Sequence, residues 1–221
     1  MSATEKLSPT GRPVLFRPAR PADAPEVARI WLHSWRDGHL GHVPEELAAV
    51  RTPESFATRA AERVGDTLVA VVDGAVAGFV MVVAEEVEQV YVAAPHRGTG
   101  VAGLLLTEAE RLVREGGHRR AWLVAAEGNA RARRFYERQG WVDEGRVDHP
   151  AQGPDGPIPV PCHRYTKEVS GPTADSGPES GSGPASASAS GSGPGAASGT
   201  DSGPGPASAS GSGSVFGSGP T

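Results

Sequence analysis

The residues with the sharpest chemical character run from Val90 to Gly103, reading Val90-Tyr91-Val92-Ala93-Ala94-Pro95-His96-Arg97-Gly98-Thr99-Gly100-Val101-Ala102-Gly103. A β-rich run enters a glycine-rich turn, and an amphipathic run leaves it. Glycines let backbone N–H groups approach a ligand closely, and a helix start adds about half a positive charge. Such a place suits a phosphate or pyrophosphate. Two proton-handling side chains flank it in sequence, Glu88 before the loop and Tyr136 after it. A carboxylate can take a proton, and a phenol with a pKa of about 10 keeps one to give at neutral pH. A third group, Trp31, His33, Trp35, His39 and His42, is concentrated near the N-terminus. Three histidines at these spacings lack the carboxylate or cysteine partners of a metal centre, so no metal is expected.

The elements that must position these residues follow from periodicity. Val14–Arg17 reads as a short strand, and Asp23 and Glu26 stand at capping-box spacing before it turns helical. Val27, Ala28, Trp31 and Trp35 recur at helical spacing, predicting a helix over Ala24–Arg36. A Gly/Pro-containing loop then leads to one or two short helices ending by Val64. Two strands, Thr67–Asp73 and Ala75–Ala84, flank Asp73-Gly74, a strong hairpin signal. A third strand, Val87–Ala93, enters the glycine loop. The helix from Val101 stops at Gly116-Gly117, Arg120–Ala126 is a near-continuously apolar strand, and Asn129–Gln139 is a second helix closed by Gly140. Two strands finish the fold, the last over Ile158–Lys167. Pro157, Pro159 and Pro161 alternate, so their missing donors fall on one edge, and an edge strand or a poorly ordered start is expected. The element order predicts an α/β fold: a mixed, mostly antiparallel sheet with one parallel crossover, flanked by helices.

Composition divides the 221-residue chain. From Ser170 onward, 44 of 52 residues are Gly, Ser, Pro or Ala, too little apolar surface to offset chain entropy. Residues 1–12 are expected to be a disordered leader, 13–169 one domain and 170–221 a disordered tail; truncation after Val169 is expected to leave activity unchanged. All 21 Lys and Arg precede the tail, against 23 of the 26 acids, leaving the domain near −2. With no strongly basic field, a nucleic-acid partner is not expected. One cysteine, Cys162, excludes a disulfide framework, and no run is long and apolar enough for a membrane span, so no membrane partner and a cytoplasmic location are expected.

Gly98-x-Gly100-x-x-Gly103 is formally a dinucleotide fingerprint, with Glu127 as a distal acid. Antiparallel-type sequence precedes it, however, and Ala94 to Arg97 separate the strand from the first glycine. Only one more helix follows, so the second mononucleotide half has no room. The second ligand class that fits such a loop is an acyl-CoA pyrophosphate.

The chain here resembles the GNAT superfamily of acyl-CoA-dependent N-acetyltransferases. The family motif R/Q-x-x-G-x-G/A is matched from Arg97 through Gly98, Thr99, Gly100 and Val101 to Ala102, and N-x-x-A-x-x-F-Y-E-x-x-G-W by Asn129, Ala132, Phe135, Tyr136, Glu137, Gly140 and Trp141. Both occur in the family order with a strand between, and the likeness spans about Val14 to Val169. It implies a fold with splayed central parallel strands, a β-bulged fourth strand parting from the fifth, and acetyl-CoA as co-substrate. Cofactor binding is then expected at Val90, Tyr91, Val92, Arg97, Gly98, Thr99, Gly100, Val101, Ala102, Gly103, Asn129 and Arg133. Backbone N–H groups near Val90–Val92 would meet the oxyanion and the pantetheine amides. Tyr136 is the candidate acid for the leaving thiolate, against a plain core role beside Phe135. Glu88 is the candidate base, placed by simple alternation on the same face as Val90, against a role as a solvated strand start. Asn129 also reads as an N-cap. Trp35 and His39 are candidates for lining the acceptor pocket. The implied reaction is acetyl transfer to a primary amine, a small molecule, with the acidity favouring a cationic one; a monomer or homodimer is expected. Protein N-terminal or lysine acetylation, and an idle acyl-CoA sensor, are the alternatives.

Overall fold

The computed structural model describes residues 3–153 and 155–170; the tail expected over 170–221 lies, beyond Ser170, outside the described residues. Eight strands form one sheet in the order β1-β2-β3-β4-β5-β6-β8-β7. They are β1 (Thr4–Leu7), β2 (Pro13–Pro18), β3 (Thr67–Val72), β4 (Ala75–Val83), β5 (Glu86–Val92), β6 (Arg120–Ala126), β7 (Val142–Gln152) and β8 (Pro157–Glu168). Among the described residues five α-helices flank it: α1 (Ala24–His39), α2 (Glu45–Val50), α3 (Pro53–Glu62), α4 (Val101–Glu115) and α5 (Ala130–Arg138). Every neighbouring pair is antiparallel except β5 and β6.

Helices cover both faces. On one, α4 and α5 pack Leu105, Ala109 and Tyr136 against Val80, Val90 and Leu123. On the other, α1 and α3 pack Trp31, Trp35 and Phe56 against Phe79, Met81 and Tyr91. Being covered twice explains why β3 (TLVAVV) is apolar throughout rather than alternating. The β3–β4 turn places both Asp73 and Gly74 at positive φ, 52° and 81°, the primed turn that matches strand twist.

Three local expectations are corrected. Thr4–Leu7, placed in a disordered leader, pairs with Pro13–Phe16 as an edge strand, and Lys6 fixes it to α4 through Glu108 at 2.6 Å. Asp23 does not cap α1; its carboxylate takes the Arg17 guanidinium at 2.6 and 2.9 Å and the Arg20 N–H at 2.7 Å, while Glu26 pairs with Arg29. The last strand is not at the sheet edge, since β7 lies outside it. Its proline half is nevertheless open on one side: β6 reaches only Cys162–Glu168, the Pro161 carbonyl accepts the Glu127 N–H at 3.0 Å, and Pro157–Val160 pair with β7 alone. Pro159 faces Pro150, a pairing that needs no donor from either.

Candidate active site

Strands β5 and β6 start side by side and then part. Only Glu86 and Trp122 are registered as a pair, with the Trp122 N–H donating to the Glu85 carbonyl at 3.0 Å. Beyond this the parallel ladder stops, and a cleft opens toward the C-terminal ends of both strands. The Ala93 N–H points to β4, where it meets the Ala77 carbonyl at 2.8 Å. Strand alternation therefore aims the N–H groups of Val90 and Val92 at the side that β6 has left. Tyr91 is different: its backbone is registered with Phe79, and its ring is buried on the α1/α3 face.

At the end of β5 the chain turns through Gly98 and Gly100, at φ 75° and 88°, into α4. No L side chain adopts these angles comfortably, so the sequence needs glycine to bring the helix start to the cleft. A second constraint acts at Gly100, where an added Cβ would lie 2.4 Å from Cδ of Pro9 in the β1–β2 turn. A cavity of about 430 Å³ adjoins this loop, lined by Gly98, Gly100, Gly103, His96 and Arg138 among others. Unpaired helix N–H groups, glycines and an arginine around it suit a pyrophosphate. The Arg97 side chain turns instead toward α1, meeting Asp37 at 2.8 Å and Ser34 Oγ at 3.3 Å, and Thr99 ties its hydroxyl to the His96 carbonyl.

Tyr136 lies in α5, fully buried among Phe135, Trp141 and Tyr165, and its hydroxyl has no partner. Burial pushes the phenol far above its usual range, so it stays protonated. Asn129 caps α5 by accepting from the Ala132 N–H at 3.0 Å, while its buried Nδ2 has no partner. Two unmet buried donors are costly in a closed core and fitting beside a ligand. Val101 and Ala102 are buried at the start of α4.

Glu88 departs from the expectation of simple alternation. Met81 is registered with Gln89 but Val82 with Val87, so Glu88 is the extra residue of a β-bulge. The bulge moves it off the Val90 face and onto the α1/α3 face, where its carboxylate takes Arg63 Nη2 at 2.5 Å. It is 3% exposed, not solvated. Burial raises its pKa, and the opposing pull of Arg63 does not cancel this.

The sequence profile of the acetyltransferase (GNAT) family matches residues 25–141. The chain belongs to this family. It is an acetyltransferase. Among curated proteins none matches the sequence. Solved structures share the GNAT fold at low identity. A GCN5-related N-acetyltransferase from Rhodopseudomonas palustris superposes with TM-score 0.56 at 22% identity, over 76% of this chain and 99% of its own. YncA from Salmonella typhimurium, solved with acetyl-CoA, gives 0.53 at 17%, over 77% and 96%. The PaiA N-acetyltransferase from Thermoplasma acidophilum, in complex with coenzyme A, gives 0.53 at 17%, over 70% and 98%. No helix among the described residues is long and apolar enough to cross a membrane.

Within this GNAT frame some expected site residues sit elsewhere. Arg133 does not line the loop cavity; it donates to the Tyr165 hydroxyl and to Asp143, both at 3.3 Å. Arg138 takes that place. Its signal was in the sequence, because Phe135 and Arg138 are one helical turn apart and share a face. Trp35 and His39, expected to line the acceptor pocket, are packed in the α1/α3 core; they stack on each other at 5.1 Å, both 1% exposed or less. Burial pulls the His39 pKa down to about 4, leaving a neutral ring bonded to the Trp35 carbonyl at 2.9 Å. Sequence reasoning also missed Arg51, Arg59 and Arg63, which bury cationic groups on the α1/α3 face.

Proposed function

We propose that this enzyme transfers an acetyl group from acetyl-CoA to a small primary amine by direct attack, with no acyl-enzyme intermediate. The carrying observation is the Tyr136 hydroxyl, buried beside Tyr165 with no hydrogen-bond partner, a phenol held protonated where a leaving thiolate needs a proton. Acetyl-CoA supplies an acetyl carbon activated as a thioester. The glycine turn, the α4 N-terminus and Arg138 hold its pyrophosphate, and the β5 edge at Val90 and Val92 orients the pantetheine by strand-like pairing. The same N–H groups are the donors to the acetyl oxygen as it gains charge.

Glu88 accepts a proton from the acceptor nitrogen, directly or through water, as that nitrogen bonds the acetyl carbon. The carbon–sulfur bond breaks, and Tyr136 gives its proton to the departing sulfur. Return of one proton from Glu88 to Tyr136 through solvent balances the cycle: amine plus acetyl-CoA gives amide plus free thiol. Cys162 is a poor alternative nucleophile, because burial drives its thiol well above the ordinary range.

The test is free-thiol release from acetyl-CoA across a panel of primary amines. Turnover with at least one amine supports the reading. Thermal stabilisation by acetyl-CoA with no thiol from any amine supports an idle acyl-CoA sensor instead.

A further inference from the structure

The α1/α3 face carries an imbalance of charge. Arg59 and Arg63 are one turn apart, at the end of α3 and just beyond it, and Arg51 precedes the helix. Arg63 holds two acids, Glu88 at 2.5 Å and Asp66 at 2.8 Å. Arg59 stacks its guanidinium 4.5 Å over the Trp31 ring and has no ion pair among the described residues; its Nη1 is buried without a hydrogen-bond partner. Arg51 is 5% exposed; it donates Nη2 to the Gln152 carbonyl at 3.0 Å, and its buried Nε has no partner. Gln89 is 1% exposed on the same face, registered with Met81, and neither of its amide atoms is paired.

Buried guanidiniums without carboxylates are rare because an uncompensated buried charge is expensive. Burial is the main cause that brings the Arg59 pKa down to about 9, and repulsion from Arg51 adds to it. An arriving anion removes both penalties. The coenzyme is not that anion: its pyrophosphate cavity is at the start of α4, on the opposite face of the sheet. With Glu88 as the base, the acceptor amine is taken from the α1/α3 side, where the bulge puts the Glu88 carboxylate. A guanidinium fork fits a carboxylate with two parallel hydrogen bonds.

We infer that Arg51 and Arg59 bind a carboxylate on the acceptor, so that the substrate class is small amines bearing a carboxylate, such as α-amino acids, rather than polycations. This rests on the acetyl-transfer reading above. It also reverses the expectation of a cationic amine drawn from net charge, because the local field on the acceptor face is positive while the whole domain is close to neutral.

The experiment is thiol release from acetyl-CoA by the full-length protein with matched triplets. Each triplet is an α-amino acid, its primary amide, and the amine lacking the carboxylate; a polyamine is added. The amide's amine is the less protonated of the first two, so a preference for the acid is not a basicity effect. The acid is expected to exceed the other two in kcat/KM by on the order of 30-fold or more. In Arg59→Gln and Arg51→Gln the acid-over-amide ratio falls toward one, mainly through KM, while the melting temperature holds or rises as an unpaired buried charge is removed. Equal or faster turnover of amides or polyamines overturns this inference and leaves acetyl transfer intact. No thiol from any amine overturns acetyl transfer itself. Should the variants fail to fold, the triplet comparison on the parent protein still decides.

Discussion

In the proposed reading, the two faces of the sheet recognise their ligands by different means. On the α4 side, the coenzyme region is built from backbone: two glycines at positive φ, a helix start, and β5 N–H groups exposed where β6 diverges. On the α1/α3 side, the acceptor region is built from side chains: Glu88 and three arginines set among Trp31, Phe56 and Tyr91. Backbone recognition demands glycine at fixed positions and so writes a motif into the sequence. Side-chain recognition by scattered arginines writes none. On that reading the coenzyme side is legible in the sequence, and the proposed acceptor side only in the fold.

Substitutions can break this division. The largest effect is expected at Gly100, where φ 88° and the nearness of Pro9 both oppose a side chain. Gly100→Val should cost about 1–3 kcal/mol from backbone strain and lower affinity for acetyl-CoA on the order of 100-fold or more. Titration with desulfo-CoA, which lacks the reactive sulfur, would check it; loss of acceptor discrimination with coenzyme affinity intact would break the division.

Tyr136→Phe comes next. Removing the acid should lower kcat about 100-fold with little change in KM for acetyl-CoA, without loss of thermal stability, since the deleted hydroxyl has no partner. Full kcat in steady-state kinetics would return Tyr136 to a plain core role. On the other face, Glu88→Gln should lower kcat about 10- to 100-fold. The parent works as a base only when Glu88 is ionised, so its rate falls as pH drops through the Glu88 pKa. Because burial raises that pKa, the fall should begin at a higher pH than an exposed glutamate would give, and the variant should lose this limb of the kcat profile.

The smallest effect concerns the support of α1 rather than either ligand. Asp23 is held ionised by Arg17, which depresses its carboxyl pKa, with the Arg20 N–H adding to this. A depressed folded-state pKa contributes stability that is present above the unfolded value of about 3.9 and lost as pH falls through the folded one. Asp23→Asn should therefore cost about 1–2 kcal/mol at neutral pH, and the difference from the parent in denaturant titrations should shrink in acid.

How far the sequence carried follows the same physics. Local signals held: Asp73-Gly74 made its primed hairpin, Arg120–Ala126 is a strand at the expected bounds, and Asn129 caps α5. Readings that depended on tertiary placement did not. The Glu88 face was misplaced because a bulge, invisible in one strand's pattern, needs the partner register to be seen. Thr4–Leu7 is polar and short, and its strand depends on pairing with β2 and on Lys6 reaching Glu108. Trp35 and His39 share a stack because α1 runs through Gly38 to His39, beyond the expected Arg36.

The central claim, that the cleft between β5 and β6 carries amine acetylation, is tested most directly by measuring free thiol from acetyl-CoA with and without primary amines. Amine-dependent thiol release, matched one-for-one by acetylated amine, is the predicted result. Saturable binding of acetyl-CoA with no amine-dependent thiol across acids, amides and polyamines would contradict it.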